Sequence, residues 1–149
     1  MPRPWITFVL ALALTALAGC GRLGLIRPGA GNAGPYFSTK LCGVQIDGKA
    51  KVARLHLTLA VVQPLPRGAL VETEFQDTAN RTVLTASRVA AGSERTLELL
   101  SPPISDVRPR GYETVTRVYA AADRKQVLGT HTYVCESLID QRELGPEFR

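Results

Sequence analysis

The sequence predicts an all-β protein, folded as a single antiparallel β-sandwich of about seven strands. Two observations favour this fold class. Apolar and polar residues alternate with period two in several short runs, and turn-forming residues separate these runs roughly every ten residues. In addition, no stretch of about 12 residues shows a helical period. The length of 149 residues suits one domain of this kind.

The clearest strand is expected over residues 52–62, where every second residue is apolar. This alternation predicts a buried face and an exposed face. The apolar set consists of Leu55, Leu57, Leu59 and Val61. Six further strands are predicted over residues 36–46, 69–77, 82–89, 96–100, 112–121 and 127–138. Turns rich in Pro, Gly, Asn, Asp and Ser separate them.

Gly111-Tyr112, at the start of the sixth predicted strand, resembles the tyrosine corner of immunoglobulin-like sandwiches. The resemblance implies an immunoglobulin-like layout and no more. Thr114 stands two residues after the tyrosine, where that class carries a cysteine, and the only Trp is Trp5.

The first residues predict export from the cytoplasm. Arg3 gives a positive start, and Trp5 to Ala18 form an uncharged run of 14 residues. A membrane-spanning helix needs about 20 apolar residues. The run therefore has the length of the hydrophobic region of a secretory signal peptide.

The run ends in Leu17-Ala18-Gly19-Cys20, which resembles the lipobox of bacterial lipoproteins. The resemblance implies cleavage before Cys20, a diacylglyceryl group on its thiol and a fatty acid such as palmitate on its amine. Two or more acyl chains anchor a protein stably to a membrane. In enterobacterial lipoproteins, an Asp directly after the lipidated cysteine retains the protein at the inner membrane. This chain has Gly21 there, which implies a location on the periplasmic face of the outer membrane, with the inner membrane as the alternative. An ordinary signal peptide ending near Ala18 would leave Cys20 incidental.

These segments divide the chain into four parts. Residues 1–19 are expected to form the signal peptide, and residues 20–35 the lipidated cysteine with a flexible tether rich in Gly and Pro. The sandwich is expected over residues 36–140, with a C-terminal tail at 141–149.

Two cysteines remain once Cys20 is assigned to lipid, namely Cys42 and Cys135. Paired thiols persist as disulfides in oxidising compartments, so we predict a Cys42–Cys135 bond between the first and last strands. The alternative is a reactive or metal-binding thiol, although neither cysteine stands in a CxxC context.

Few residues suggest catalysis. The two histidines, His56 and His131, are expected to be solvated or to lie at sheet edges, and Glu72 and Glu74 to share a half-exposed strand face. No serine stands in a GxSxG or SxxK setting. The sequence therefore predicts a protein that is not an enzyme and needs no cofactor or metal. The alternative is a small-ligand or metal carrier, or an enzyme, that uses His56 and His131 together.

The expected role is that of a non-catalytic binding or assembly module that faces the periplasm. It is expected to be anchored to the membrane through Cys20 and to bind a protein partner in the cell envelope. The formal charge of +5 is spread along the chain without interleaved aromatics, which argues against nucleic-acid binding. A narrower alternative comes from Leu65-Pro66-Arg67-Gly68-Ala69-Leu70-Val71, followed by Asp77 and by Val107-Arg108-Pro109. This layout resembles small β-sandwich lipoproteins that act as pilotins, which escort secretin subunits.

Overall fold

The computed structural model describes residues 34–79, 81–104 and 107–144, so the lipobox and nearly all of the predicted tether lie outside the described residues. Seven strands and one helical turn follow each other along the chain. They are β1 (Phe37–Asp47), β2 (Val52–Val61), β3 (Leu70–Asp77), β4 (Val83–Val89), β5 (Thr96–Leu100), β6 (Arg110–Tyr119), β7 (Val127–Ser137) and α1 (Gln141–Leu144). No helix in this part of the chain is long and apolar enough to cross a membrane.

The strands form two antiparallel sheets. One has three strands in the order β1-β2-β5, and the other has four in the order β4-β3-β6-β7. The predicted antiparallel sandwich of seven strands is therefore confirmed. The largest difference is in β6, which begins and ends two residues earlier than expected, at Arg110 and Tyr119. Its earlier start reflects the pairing of Arg110 with Ser137 of β7.

The core lies between the inner faces of the two sheets. On β2, Leu55, Leu57 and Leu59 are at most 2 % exposed, as the alternation predicts, whereas Val61 is only half-buried at the end of the strand. The opposite sheet contributes Val71 and Phe75, both at most 1 % exposed. Burial of such side chains supplies the main stabilising free energy, about 25 cal/mol for each Å² of apolar surface removed from water.

A polar row crosses the centre of the four-stranded sheet's inner face. Thr73, Thr114 and Thr116 are all fully buried. The hydroxyl oxygens of Thr73 and Thr116 lie 2.7 Å apart across the β3–β6 ladder, and the Thr114 hydroxyl donates to the carbonyl oxygen of Tyr133 at 3.0 Å. Each hydroxyl thus has a partner, which offsets the cost of removing it from water.

Cys42 and Cys135 form a disulfide in the structure, with their Cα atoms 5.4 Å apart. Cys42 lies in β1, at one edge of the three-stranded sheet, and Cys135 in β7, at one edge of the four-stranded sheet. The bond therefore joins the two sheets along one side of the sandwich.

The residues before β1 close the same side. The amide of Gly34 donates to Nδ1 of His131 at 3.3 Å. A Cβ at Gly129 of β7 would lie only 2.9 Å from Cδ2 of Tyr36, so a glycine is needed where this segment crosses the strand. The folded part of the chain therefore includes the last two residues of the predicted tether, Gly34 and Pro35.

Tyr112 does not complete the tyrosine corner that its sequence context resembles. Its side chain is buried, but its hydroxyl has no hydrogen-bond partner among the described residues. Its ring lies beneath the Arg110 guanidinium, with 5.9 Å from the guanidinium carbon to the ring centroid. The likeness to immunoglobulin domains thus does not extend to this hydrogen bond.

Candidate functional site

The two sides of the sandwich differ in how their edge strands are covered. The disulfide and residues 34–36 close the side formed by β1 and β7. The other side is formed by β4 and β5, which end the two strand orders. An uncovered edge strand offers a ladder of backbone donors and acceptors to another chain. The open side is therefore the candidate docking site.

The direction of each backbone group along β4 follows from its pairing with β3. The amide of Ala90 donates to the carbonyl oxygen of Ala69, and the carbonyl oxygen of Thr82 accepts from the amide of Asp77. Since β3 and β4 pair without a register shift from Val83 to Val89, the even-numbered residues point their N–H and C=O groups at β3. The odd-numbered residues point them away from the sheet. These residues are Val83, Thr85, Ser87 and Val89.

The side chains of β4 do little to protect this edge. Val83 is 49 % exposed and Val89 is 59 % exposed, and the strand contains no proline. Its single charge is on Arg88. The pKa of the nearby Glu94 carboxyl is lowered chiefly by hydrogen bonds from backbone N–H groups, first of all that of Ala91. The charge of Arg88 lowers it to a smaller extent. Natural edge strands are usually blocked by charge, proline or bulges, so β4 is unusually open.

His56 and His131 lie on different sheets and do not meet. His56 is on the outer face of β2, between the buried Leu55 and Leu57, whereas His131 is on the inner face of β7. The structure therefore does not bring them together as the carrier or enzyme alternative requires. The described residues contain no group of three His, Cys, Asp or Glu side chains placed to hold a metal ion.

His131 lies on β7, an edge strand of its sheet, as one of the two expectations allowed, but its side chain is not solvated. It is 4 % exposed because it points inward from β7 toward β1. Nε2 lies 2.8 Å from the Thr39 hydroxyl, and Nδ1 accepts from the Gly34 amide. Since an amide N–H can only donate, Nδ1 carries no proton, and Nε2–H donates to Thr39. His131 thus links β7, β1 and the segment before β1 in its neutral form.

We predict a loss of stability as the pH falls below about 6.5. Burial lowers the pKa of His131 in the folded protein from its ordinary value of 6.5. Above pH 6.5 the imidazole is neutral in the folded and in the unfolded protein, so the full stability is present. Below pH 6.5 the unfolded chain binds a proton before the folded protein does, which favours the unfolded state. The free energy of unfolding therefore decreases until the pH passes the folded pKa. Urea unfolding of the wild type and of His131→Gln between pH 7.5 and 5 measures this, and the variant should lack the decrease. An equal decrease in both proteins would contradict the prediction.

The carboxylates of β3 are bound by arginines. Glu72 lies 2.6 Å from a guanidinium nitrogen of Arg124, and Glu74 lies 2.9 Å from one of Arg117. Arg124 has a φ of 57° at the β6–β7 turn, and from there its side chain reaches back to β3. The expectation that both carboxylates are half-exposed was wrong for Glu72, which is 8 % exposed because Arg124 covers it.

The residues that carry the pilotin resemblance serve the fold at most positions. Leu65, Val71 and Val107 are buried in the core, and Asp77 forms an ion pair of 2.7 Å with Arg110. These contacts explain the pattern by packing, and the pilotin-like role stays a prediction.

The chain matches no protein-family model, and a search of curated proteins finds no significant match.

Sequence reasoning missed the inward direction of His131, although a signal for it was present. His131 stands four residues before Cys135, and residues an even number apart on a strand share a face. Once Cys135 is assigned to a bond with β1, His131 must point the same way. The openness of β4 had no comparable signal, because strand order decides which strands lie at an edge.

Proposed function

We propose that the protein is a lipid-anchored module of the bacterial cell envelope, facing the periplasm from the outer membrane, that docks a protein partner without catalysing a reaction. The open edge at β4 is the observation that carries the docking role. It combines outward backbone groups with exposed Val83 and Val89. The lipobox sequence Leu17-Ala18-Gly19-Cys20 supports the anchor.

The pairing of polar side chains also supports a non-catalytic role. The carboxylates of Glu72, Glu74 and Asp77 each lie within 2.9 Å of an arginine nitrogen. Each of these carboxylates is therefore bound by a side chain of its own fold. The ring of His131 is enclosed by Thr39 and Gly34 and is therefore committed to the fold.

The anchor is tested by replacing the cysteine that would carry the lipid. We expect Cys20→Ser to abolish acylation, seen as the loss of fatty-acid mass from the intact protein, and to move the chain from the outer-membrane fraction to the soluble fraction. A variant lacking both Cys42 and Cys135 is the matched control, since it removes two thiols and leaves the anchor in place. The anchor proposal fails if the Cys20→Ser chain still sediments with the outer membrane.

The docking edge is tested by photocrosslinking in intact cells. A photoreactive residue is placed at Ser87, on the outward side of β4, or at Gln45, which is also exposed but lies on the closed β1 edge. Adducts heavier than the monomer are expected from Ser87 and not from Gln45. Equal adducts at both positions, or none at Ser87, would reject β4 as the docking edge.

A further inference from the structure

We infer that β4 pairs with β4 of a second copy of this chain about a two-fold axis at Ala86, which joins two four-stranded sheets into one. This inference deepens the docking role and rests on it, because it names the partner of the same edge. Three properties of β4 support it: the direction of its backbone groups, the order of its side chains and its charge.

The backbone of β4 fits a centred antiparallel register. Residues that point both backbone groups outward must face each other, so that each pair exchanges two hydrogen bonds. Centring on Ala86 places Val83 opposite the second copy's Val89, and Thr85 opposite the second copy's Ser87. Every outward residue of β4 then has a partner. If the second copy is shifted by two residues in either direction, one outward valine of β4 has no partner in the facing strand. If it is shifted by one residue, outward-pointing residues face inward-pointing ones, and the hydrogen bonds cannot form.

The side chains match in the same register. Val83 and Val89 are exposed on the outer face and would form a β-branched pair at each end of the ladder, with Thr and Ser hydroxyls between them. Such cross-strand pairs stabilise a ladder. On the inner face, Ala86 meets its own copy, and its small side chain permits the close approach of a non-hydrogen-bonded pair.

The charges do not oppose this pairing. Arg88 is the only charged residue of β4, and the centred register places it opposite the second copy's Leu84 rather than against another arginine. Within its own chain, the charge of Arg88 contributes to lowering the pKa of the Glu94 carboxyl, after the backbone N–H groups that bind it. A surface that is self-complementary in this way is what a closed two-fold dimer requires.

Engineered cysteines test the register in the full-length lipoprotein, in native membranes. In Ala86→Cys the two thiols would face each other across the axis, at a Cα separation of about 4.5 Å, which suits a disulfide. In Val83→Cys the two thiols would be about 20 Å apart, at about 3.4 Å per residue. We expect a reducible dimer as the main product of Ala86→Cys, a monomer from Val83→Cys, and a dimer again when Val83→Cys is co-produced with Val89→Cys. Equal dimer from both single variants, or none from any combination, overturns the inference.

A proline variant tests the same pairing without a new thiol. Thr85 points its N–H away from β3, so Thr85→Pro removes no hydrogen bond of the fold but takes a donor from the outer ladder. In detergent-solubilised full-length protein, sedimentation should show a dimer for the wild type and for Thr85→Val, and a monomer for Thr85→Pro. A monomeric wild type, or a Thr85→Pro dimer, overturns the inference. If Ser87 still crosslinks to a different protein, the docking role survives; if it gives no adduct, both proposals fail.

Discussion

Loss of the Cys42–Cys135 disulfide is expected to lower the free energy of unfolding by as much as about 4–5 kcal/mol. The two residues are 93 positions apart, so the bond closes nearly the whole folded domain into one loop. Closing a long loop restricts the unfolded chain strongly, and the folded state is stabilised by comparison. Urea unfolding with and without a thiol reductant measures the effect.

The matched control for this prediction is the Cys42→Ala/Cys135→Ala variant. It should unfold at lower urea than the oxidised wild type, and added reductant should not change its midpoint. A reductant effect below about 1 kcal/mol in the wild type would show that the bond does not form, or that it contributes little beyond the packing of β1 on β7.

Replacing one member of the Thr73–Thr116 pair is expected to cost about 1–3 kcal/mol, because a buried hydroxyl then loses its partner. Both side chains are fully buried, and their hydroxyl oxygens are 2.7 Å apart. Valine has nearly the same shape, so Thr73→Val changes polarity with little change in volume. The double variant Thr73→Val/Thr116→Val should recover most of the loss, since no hydroxyl of the pair is left unpaired.

Denaturant unfolding of both single variants, the double variant and the wild type completes a double-mutant cycle. Additive losses in the double variant would contradict the prediction, because they would mean that each hydroxyl finds another partner. Thr114→Val is a useful comparison, since its hydroxyl donates to a main-chain carbonyl that no single substitution removes.

The fold was largely predictable because the alternation along β2 and β3 is set by which side chains must leave water. Leu55, Leu57 and Leu59 are buried as their spacing predicts. The disulfide partner of Cys42 followed from the cysteine count and from the oxidising compartment that the sequence predicts. Both inferences use only local pattern or composition, which a single sequence contains.

The environment of individual polar side chains was not predictable in this way. Glu72 lies on the expected outer face, yet Arg124, 52 residues further along the chain, covers it. Such contacts depend on which strands become neighbours and on where a turn directs its side chains. The same holds for β4, whose open edge exists only because β3 pairs with β6 on its other side.

The position of the disulfide determines how the domain responds to mechanical force. Any pull on the chain N-terminal to Gly34 reaches the fold first at the hydrogen bond from Gly34 to His131, and then at β1, where strand pairing with β2 begins at Phe37. Pairs from Phe37 onward can separate one after another, but the process stops at Cys42, where a covalent bond to β7 takes the load. Stretching from this end would therefore release only the few residues before Cys42, and the force would then act on β7 through the disulfide.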